Sequence, residues 1–328
     1  MTPVRWGILS TARIAPQKVV PALRKSAAHE VAAIASRALP TARAAADALG
    51  IATAHGSYEA LIDDPTIEAI YNPLPNPMHV PLTLAAVRAG KHVLCEKPFA
   101  LHAAELDVLR PYADKVHIRE AFMVRHHPQW HAVRAHVRAG DIGSLRFMQV
   151  PFSYFNDDAA NIRNQAALGG GALYDIGCYA ITAGRWFFEA EPEQAVALID
   201  TDPAFGTDRL TSGLLGFAGG GQLAFSVSTQ SVRFQRAQLV GTTGRIEIEI
   251  PFNAPQAGAT RYTIQRAGST EQTITVPAAD QYQLQCEAFS HAIRFDAPTA
   301  AGLDEAAAGL RVIDALFASA KSGRVERP

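Results

Sequence analysis

Short apolar runs alternate with helical stretches through about residue 120. Residues 4–9, 31–35, 69–71, 92–95 and 116–119 have the length and composition of buried strands. Between them, residues 16–25, 41–49, 79–89 and 103–113 carry helical spacing, with Pro16 and Pro81 in first turns, where a missing N–H costs nothing. Strands alternating with helices predict βαβ units and a parallel sheet covered on both faces. Ligands of such sheets bind beyond the carboxyl ends of the strands, at a switch point.

The texture then changes. Residues 127–138 read as a helix, 145–155 alternate as a strand, and Gly169-Gly170-Gly171 opens a helix running to 188. From 194 to 276 the chain is rich in β-branched and aromatic residues, broken by Gly219-Gly220-Gly221, Thr243-Gly244 and Ala257-Gly258. That pattern predicts a large, mostly antiparallel sheet with hairpins. Helices over 281–295 and 304–321 close the chain. The expected fold is α/β: a doubly wound parallel sheet over 1–122, then an α/β domain on an open sheet over 123–328. The last helix, about 304–321, is a candidate to pack back on the first domain. Too few helices follow the second sheet to cover both faces, so one face is expected to serve a homodimer.

Composition narrows the function classes. Of 328 residues, 48% are hydrophobic and 19% charged, and a net charge of −1 without long single-sign runs argues against nucleic acid or an acidic membrane as partner. Cys95, Cys178 and Cys286 lie far apart in no metal-ligand or disulfide pattern, which predicts a reducing cytoplasm. The opening MTPVRWGILS goes straight into a strand without a signal segment, and no run approaches the ~18 apolar residues that span a bilayer. His127 and His131 stand four apart beside His126, but Pro128 and the lack of a matching carboxylate favour helix-surface histidines over a metal site.

Candidate chemistry gathers at strand ends. In VLCEKPF (93–99), Pro98 stops the apolar run and leaves Lys97 at a strand's carboxyl edge. A dinucleotide fingerprint is expected after the first strand; the stretch there is Ser10-Thr11-Ala12-Arg13-Ile14-Ala15, with small residues, Ser10, Ala12 and Ala15, in place of the three glycines. A pyrophosphate site and a plain tight turn are both open on this stretch. The second strand ends in Ser36-Arg37, where NAD sites carry an acid. A hydroxyl and a guanidinium there suit a 2′-phosphate, so NADP is favoured over NAD. In GGGALYDIGCY (169–179), Asp175 and Tyr179 stand four apart on a helix and share a face. With Lys97 they would make a proton-transfer group; a packed tyrosine and a first-turn aspartate is the bland alternative.

Taken in order, Ser10–Ala15, YNPLPNPMH (71–79), EKP (96–98), EAFMVRHHP (120–128) and GGGALYDIGCY resemble the Gfo/Idh/MocA oxidoreductases over essentially the whole chain. The resemblance implies a Rossmann domain followed by an α/β domain whose open sheet often forms a dimer interface. It also implies a lysine of E-K-P beside the nicotinamide, before a commonly cis proline. Asn72, Pro73, Leu74, Asn76 and His79 would then line the nicotinamide side, with Glu96 and Lys97 next to it. Arg163 would reach cofactor or substrate. Tyr179 replaces the histidine many members carry, which is similar to the branch of dimeric dihydrodiol dehydrogenases, NADP-dependent xylose dehydrogenases and glucose–fructose oxidoreductase. The implied activity is oxidation of an aldose at its anomeric carbon. Alternatives are trans-dihydrodiol oxidation, reduction of a sugar ketone or dicarbonyl, or NADP sensing without turnover.

Overall fold

The structure, a computed structural model, describes residues 2–297 and 302–328. It divides into two compact units, Met1–Met123 with Tyr282–Ala307 and Val124–Gln281 with Ala308–Pro328.

In the first unit, β1 (Val4–Leu9), β2 (His29–Ala35), β3 (Thr53–His55), β4 (Ala69–Asn72), β5 (His92–Glu96) and β6 (Ile118–Ala121) form one parallel sheet in the order β3-β2-β1-β4-β5-β6. This is the doubly wound Rossmann order, whose switch point lies between β1 and β4. Around it run α1 (Val20–Leu23), α2 (Leu39–Leu49), α3 (Tyr58–Ile62) and α4 (His79–Arg88). Gly7, inside β1, has a packing reason: a Cβ there would stand 2.6 Å from Leu61 Cδ2 of α3. β3 and α3 were not foreseen, because three and five residues are too short to show a period. The helix expected over 103–113 is a 3₁₀ helix, Ala103–Tyr112, with Pro111 inside it. Proline lacks the N–H an α-helix would use there and its ring crowds the preceding turn.

The second unit contains α5 (Pro128–Arg138) and α6 (Cys178–Phe188). Its nine-stranded sheet is built from β7 (Leu145–Phe155), β8 (Pro192–Thr201), β9 (Asp208–Phe217), β10 (Gln222–Ser228), β11 (Gln230–Gln235), β12 (Ala237–Gly241), β13 (Gly244–Ile248), β14 (Thr260–Arg266) and β15 (Gln272–Val276). Strand order is β15-β14-β13-β12-β7-β10-β9-β8, with β11 also on β7; only β7 and β10 pair in parallel. One face receives α6, and Gly184 allows the close approach, since a Cβ there would stand 2.8 Å from Leu223 Cδ2. The other face exposes Leu198 and Leu214, at 78% and 43%.

Two helices close the chain, α7 (Gln281–Phe295) and α8 (Leu303–Ser322). The sequence pattern put α7 in the C-terminal domain, but from Tyr282 onward it belongs to the Rossmann unit. Phe289 packs on Trp6 with ring centroids 5.5 Å apart, Ser290 Oγ hydrogen-bonds His29 Nδ1 at 3.0 Å, and Arg294 pairs with Glu68 at 2.7 Å. Helical periodicity shows an apolar face without naming the sheet that covers it.

Candidate active site

The residues that the sequence marks as candidates in the Rossmann unit stand at the carboxyl ends of its strands. Ser10 leaves β1 with φ +83°, a conformation glycine takes more easily. Its side chain offsets part of that cost: Ser10 Oγ accepts Ala12 N–H at 3.1 Å, while Ser10 N–H bonds Ala35 O at 3.0 Å. Thr11, Ala12 and Ile14 are half-buried and Arg13 is exposed. The helix that follows opens as a π-helical turn, Ala15–Val19, before α1. Wide turns of this kind concentrate at functional sites. At the end of β2, Ser36 is half-buried, with its N–H on His55 O at 3.1 Å, and Arg37 is exposed. The small-residue cradle and the exposed guanidinium fit a dinucleotide with a 2′-phosphate.

The segment after β4 places two of the expected cleft residues inside the fold. Asn72 is fully enclosed; its amide donates to His79 O at 3.2 Å and its carbonyl accepts Leu74 N–H at 3.3 Å. His79 is 1% exposed, with Nδ1 2.9 Å from Pro98 O and Nε2 2.6 Å from Leu74 O. Burial pushes the His79 imidazole down to about 4. Neither side chain lines an open surface. Both brace the loops that present Pro73, Leu74, Asn76 and Lys97. Pro73 and Leu74 are themselves buried, and Asn76 is half-buried.

Lys97 follows β5 and is half-buried, and the Lys97–Pro98 bond is cis. Glu96 is held by a residue the sequence did not single out: Tyr71 OH donates to Glu96 Oε1 at 2.6 Å. Burial first, then the Glu96 charge, drives the Tyr71 phenol well above its ordinary value, so it stays a donor. Beyond the proline, Phe99 N–H bonds Glu120 Oε1 at 2.9 Å and fastens the turn to β6.

In the second unit, the helix bearing Asp175 and Tyr179 also opens as a π-helical turn, Leu173–Gly177, which runs into α6. Tyr179 is 6% exposed, its ring set between Phe152 at 5.9 Å and Phe252 at 5.4 Å. Asp175 Oδ2 accepts from Arg163 Nε at 2.9 Å and from Tyr154 OH at 2.6 Å. Arg163, 43% exposed at its side chain, is driven further toward its charged form by Asp175 first, with Tyr154 and Tyr179 acting in the same sense. The structure therefore joins Arg163, Asp175 and Tyr154 into one hydrogen-bonded group one helical turn before Tyr179. Tyr154 was missed because strand alternation places a side chain on a face without naming its partner.

The histidines near α5 differ from expectation. His127 is fully buried and caps α5, its Nδ1 accepting Gln129 N–H at 3.1 Å, while burial holds it down to about 4. Only His131 lies on the surface; His126 is half-buried and also lowered to about 4 by burial.

A family model described as an oxidoreductase family with an NAD-binding Rossmann fold matches residues 4–126, and a GFO/IDH/MocA C-terminal domain model matches 130–247. The chain belongs to the Gfo/Idh/MocA oxidoreductase family. Within it, the chain is 44% identical to the oxidoreductase ORF334 of Rhizobium meliloti, over 98% of both chains. It is 37% identical to D-xylose 1-dehydrogenase (NADP(+)) 2 of Haloferax volcanii, over 97% of this chain and 98% of the relative. A 3-ketoreductase from Actinomadura kijaniata, solved with NADP and TDP-benzene, superposes with a TM-score of 0.91 at 29% identity, over 97% of this chain and 98% of that one. As a Gfo/Idh/MocA member the protein is an oxidoreductase with a nicotinamide-nucleotide-binding Rossmann sheet and a mostly antiparallel second sheet.

Proposed function

We propose that the protein is an NADP-dependent oxidoreductase of sugar-like polyols and acts as an aldose 1-dehydrogenase. Its 37% identity to an NADP-dependent D-xylose 1-dehydrogenase, across 97% of the chain, carries the proposal. Ser10 to Ile14 would hold the pyrophosphate, and Ser36 with Arg37 the 2′-phosphate, by charge-assisted hydrogen bonds. Pro73, Leu74, Asn76, Glu96 and Lys97 would form the nicotinamide side. When bound, the cofactor supplies a carbon that takes up or returns the hydride. Tyr179 accepts the proton of the substrate hydroxyl and passes it to solvent, so the C–H electron pair leaves as hydride and the C–O bond becomes a carbonyl. We assign Lys97 the role of favouring the ionised phenol, since a cation stabilises the charged form of an acid. Asp175, fixed by Arg163 and Tyr154, accepts a hydrogen bond from a neighbouring hydroxyl and orients the sugar.

A second substrate class has support of its own. The 0.91 TM-score to a 3-ketoreductase favours reduction of a sugar ketone, which uses the same groups in reverse. We place the protein in the cytoplasm, in keeping with cysteines that are buried and outside any disulfide. We assign the open sheet face to a second copy of the chain. Its exposed Leu198 and Leu214 border a hollow of ≈ 430 Å³, also lined by Val196, Ser212 and Ala224.

Incubating the protein with aldoses, vicinal diols and keto sugars, with NADP or its reduced form, tests the activity by absorbance of the reduced nicotinamide. Aldose-dependent NADP reduction with a lactone product is expected. Turnover of keto sugars alone would move the function to the ketoreductase reading, and NADP binding without turnover of any class would leave a sensor.

A further inference from the structure

The carboxylate of Asp208 sits under the start of the helix that carries Asp175 and Tyr179. Asp208 is 5% exposed at the first position of β9, 35 residues from the amide it caps. Its Oδ2 accepts Leu173 N–H at 2.7 Å and Thr211 Oγ1–H at 2.7 Å, and Ala172 N–H is a further donor. These are amides of the first turn, which no intrahelical bond satisfies.

Two of the three glycines before the helix are tightly enclosed here, Gly171 against Asp208 itself. Gly171 has φ +116°, and a Cβ there would collide with Asp208 Oδ1. At Gly170 a Cβ would collide with Arg163 O, and Gly171 N–H bonds that same carbonyl at 2.8 Å. The loop carrying Arg163 and the turn opening the Tyr179 helix are thus held as one piece, and Arg163 closes it by pairing with Asp175.

A neutral side chain would cap a helix well enough. A buried carboxylate is an expensive choice: desolvation raises Asp208 to about 6 against the opposing hydrogen bonds. Retaining it calls for a return elsewhere. An ionised carboxylate gives two strong acceptor oxygens at fixed geometry, whereas an asparagine offers one and turns a donor toward the remaining amide.

We propose that Asp208 is a positioning residue for the reaction: its carboxylate sets the phase of the π-helical turn and thereby aims Asp175 and Tyr179. The proposal rests on Tyr179 being the proton-transferring group. It reaches the chemistry only through the helix, so Asp208 touches no reacting atom.

The test uses the full-length protein with Asp208→Asn, Asp208→Ala, Gly171→Ala and, in parallel, Tyr179→Phe. Kinetics use NADP and the aldose turned over fastest; hydrogen–deuterium exchange is read over residues 169–179 without cofactor. Asp208→Asn and Gly171→Ala should remain folded, exchange faster over that segment, and lose about tenfold or more in kcat, with the KM for NADP within about twofold of wild type. Asp208→Ala should lose more than Asp208→Asn, because the amide oxygen restores one cap. A folded Asp208→Asn and Gly171→Ala with wild-type kcat would overturn the proposal. So would a loss of kcat matched by a loss of NADP affinity and of overall folding, since that marks a merely structural carboxylate. If Tyr179→Phe keeps wild-type activity, the proton-transfer assignment falls and the proposal with it. If Tyr179→Phe is inactive while the Asp208 and Gly171 variants are normal, only the positioning role falls.

Discussion

Tyr154 donates its phenolic hydrogen bond to Asp175 at 2.6 Å, onto the same oxygen that receives Arg163. One carboxylate is thereby fixed by a strand of the sheet and by a loop before its own helix. Removing the phenol hydroxyl should cost part of a charge-assisted bond, about 1.5 kcal/mol or somewhat more than tenfold. Tyr154→Phe is therefore expected to lower kcat/KM about tenfold while the protein stays folded. Steady-state kinetics with a series of sugars checks this, and an unchanged kcat/KM would show that Asp175 does not need to be held.

Asp208 gives stability a distinct pH signature. Its folded value, about 6, lies above the ordinary 3.8, so between these pH values the folded state binds the extra proton. Stability from this group is therefore fully present below pH 3.8 and is lost as pH rises through about 6. The rise from 3.8 to about 6 corresponds to about 3 kcal/mol withdrawn at neutral pH. Denaturant unfolding of wild type and Asp208→Asn at about pH 5 and about pH 7, one unit either side of the folded value of about 6, should show the variant gaining on wild type at the higher pH. A stability difference independent of pH would mean that Asp208 is not raised.

Arg37 should select the cofactor. It is exposed at the end of β2 and follows a half-buried hydroxyl residue, with no acid at either position. Charge-assisted bonds to a 2′-phosphate contribute about 1.5–3 kcal/mol, or about tenfold to a hundredfold in affinity. Arg37→Ala should weaken NADP by that factor and leave NAD nearly unchanged, by titration of the free protein with each. Equal losses would instead give Arg37 a role on the adenine or in the fold.

On the open sheet, Leu198 and Leu214 should be covered in solution by a second copy. Leu198→Lys with Leu214→Glu is expected to convert a dimer to a monomer in sedimentation velocity at micromolar concentration, with turnover per chain retained. A wild-type protein that is already monomeric would contradict this assignment.

Much of this was legible from the chain because strand ends and small-residue turns are local signals. The run 92–95, the stop at Pro98, the strand 145–155 and the helix 281–295 all follow from periodicity and from proline's missing N–H. Burial of particular polar side chains was not legible. Asn72 and His79 looked like cleft residues by resemblance, yet they satisfy backbone groups inside the loop. Asp208 lies 35 residues from Leu173 and has no spacing that could have revealed the cap. The π-helical turns at Ala15–Val19 and Leu173–Gly177 escape a period of 3.6 for the same reason: they are set by what the following and facing segments demand.

We propose that Lys97 and Tyr179 serve one proton transfer in an NADP-dependent reaction. A double-mutant cycle in kcat, with Lys97→Met, Tyr179→Phe and the pair, tests it most directly. Groups that act as a unit lose most of their effect at the first deletion. Each single variant should therefore fall by about a hundredfold or more, and the double variant should be little worse than either. Two losses that multiply in the double variant would show two independent residues, and would contradict a shared transfer.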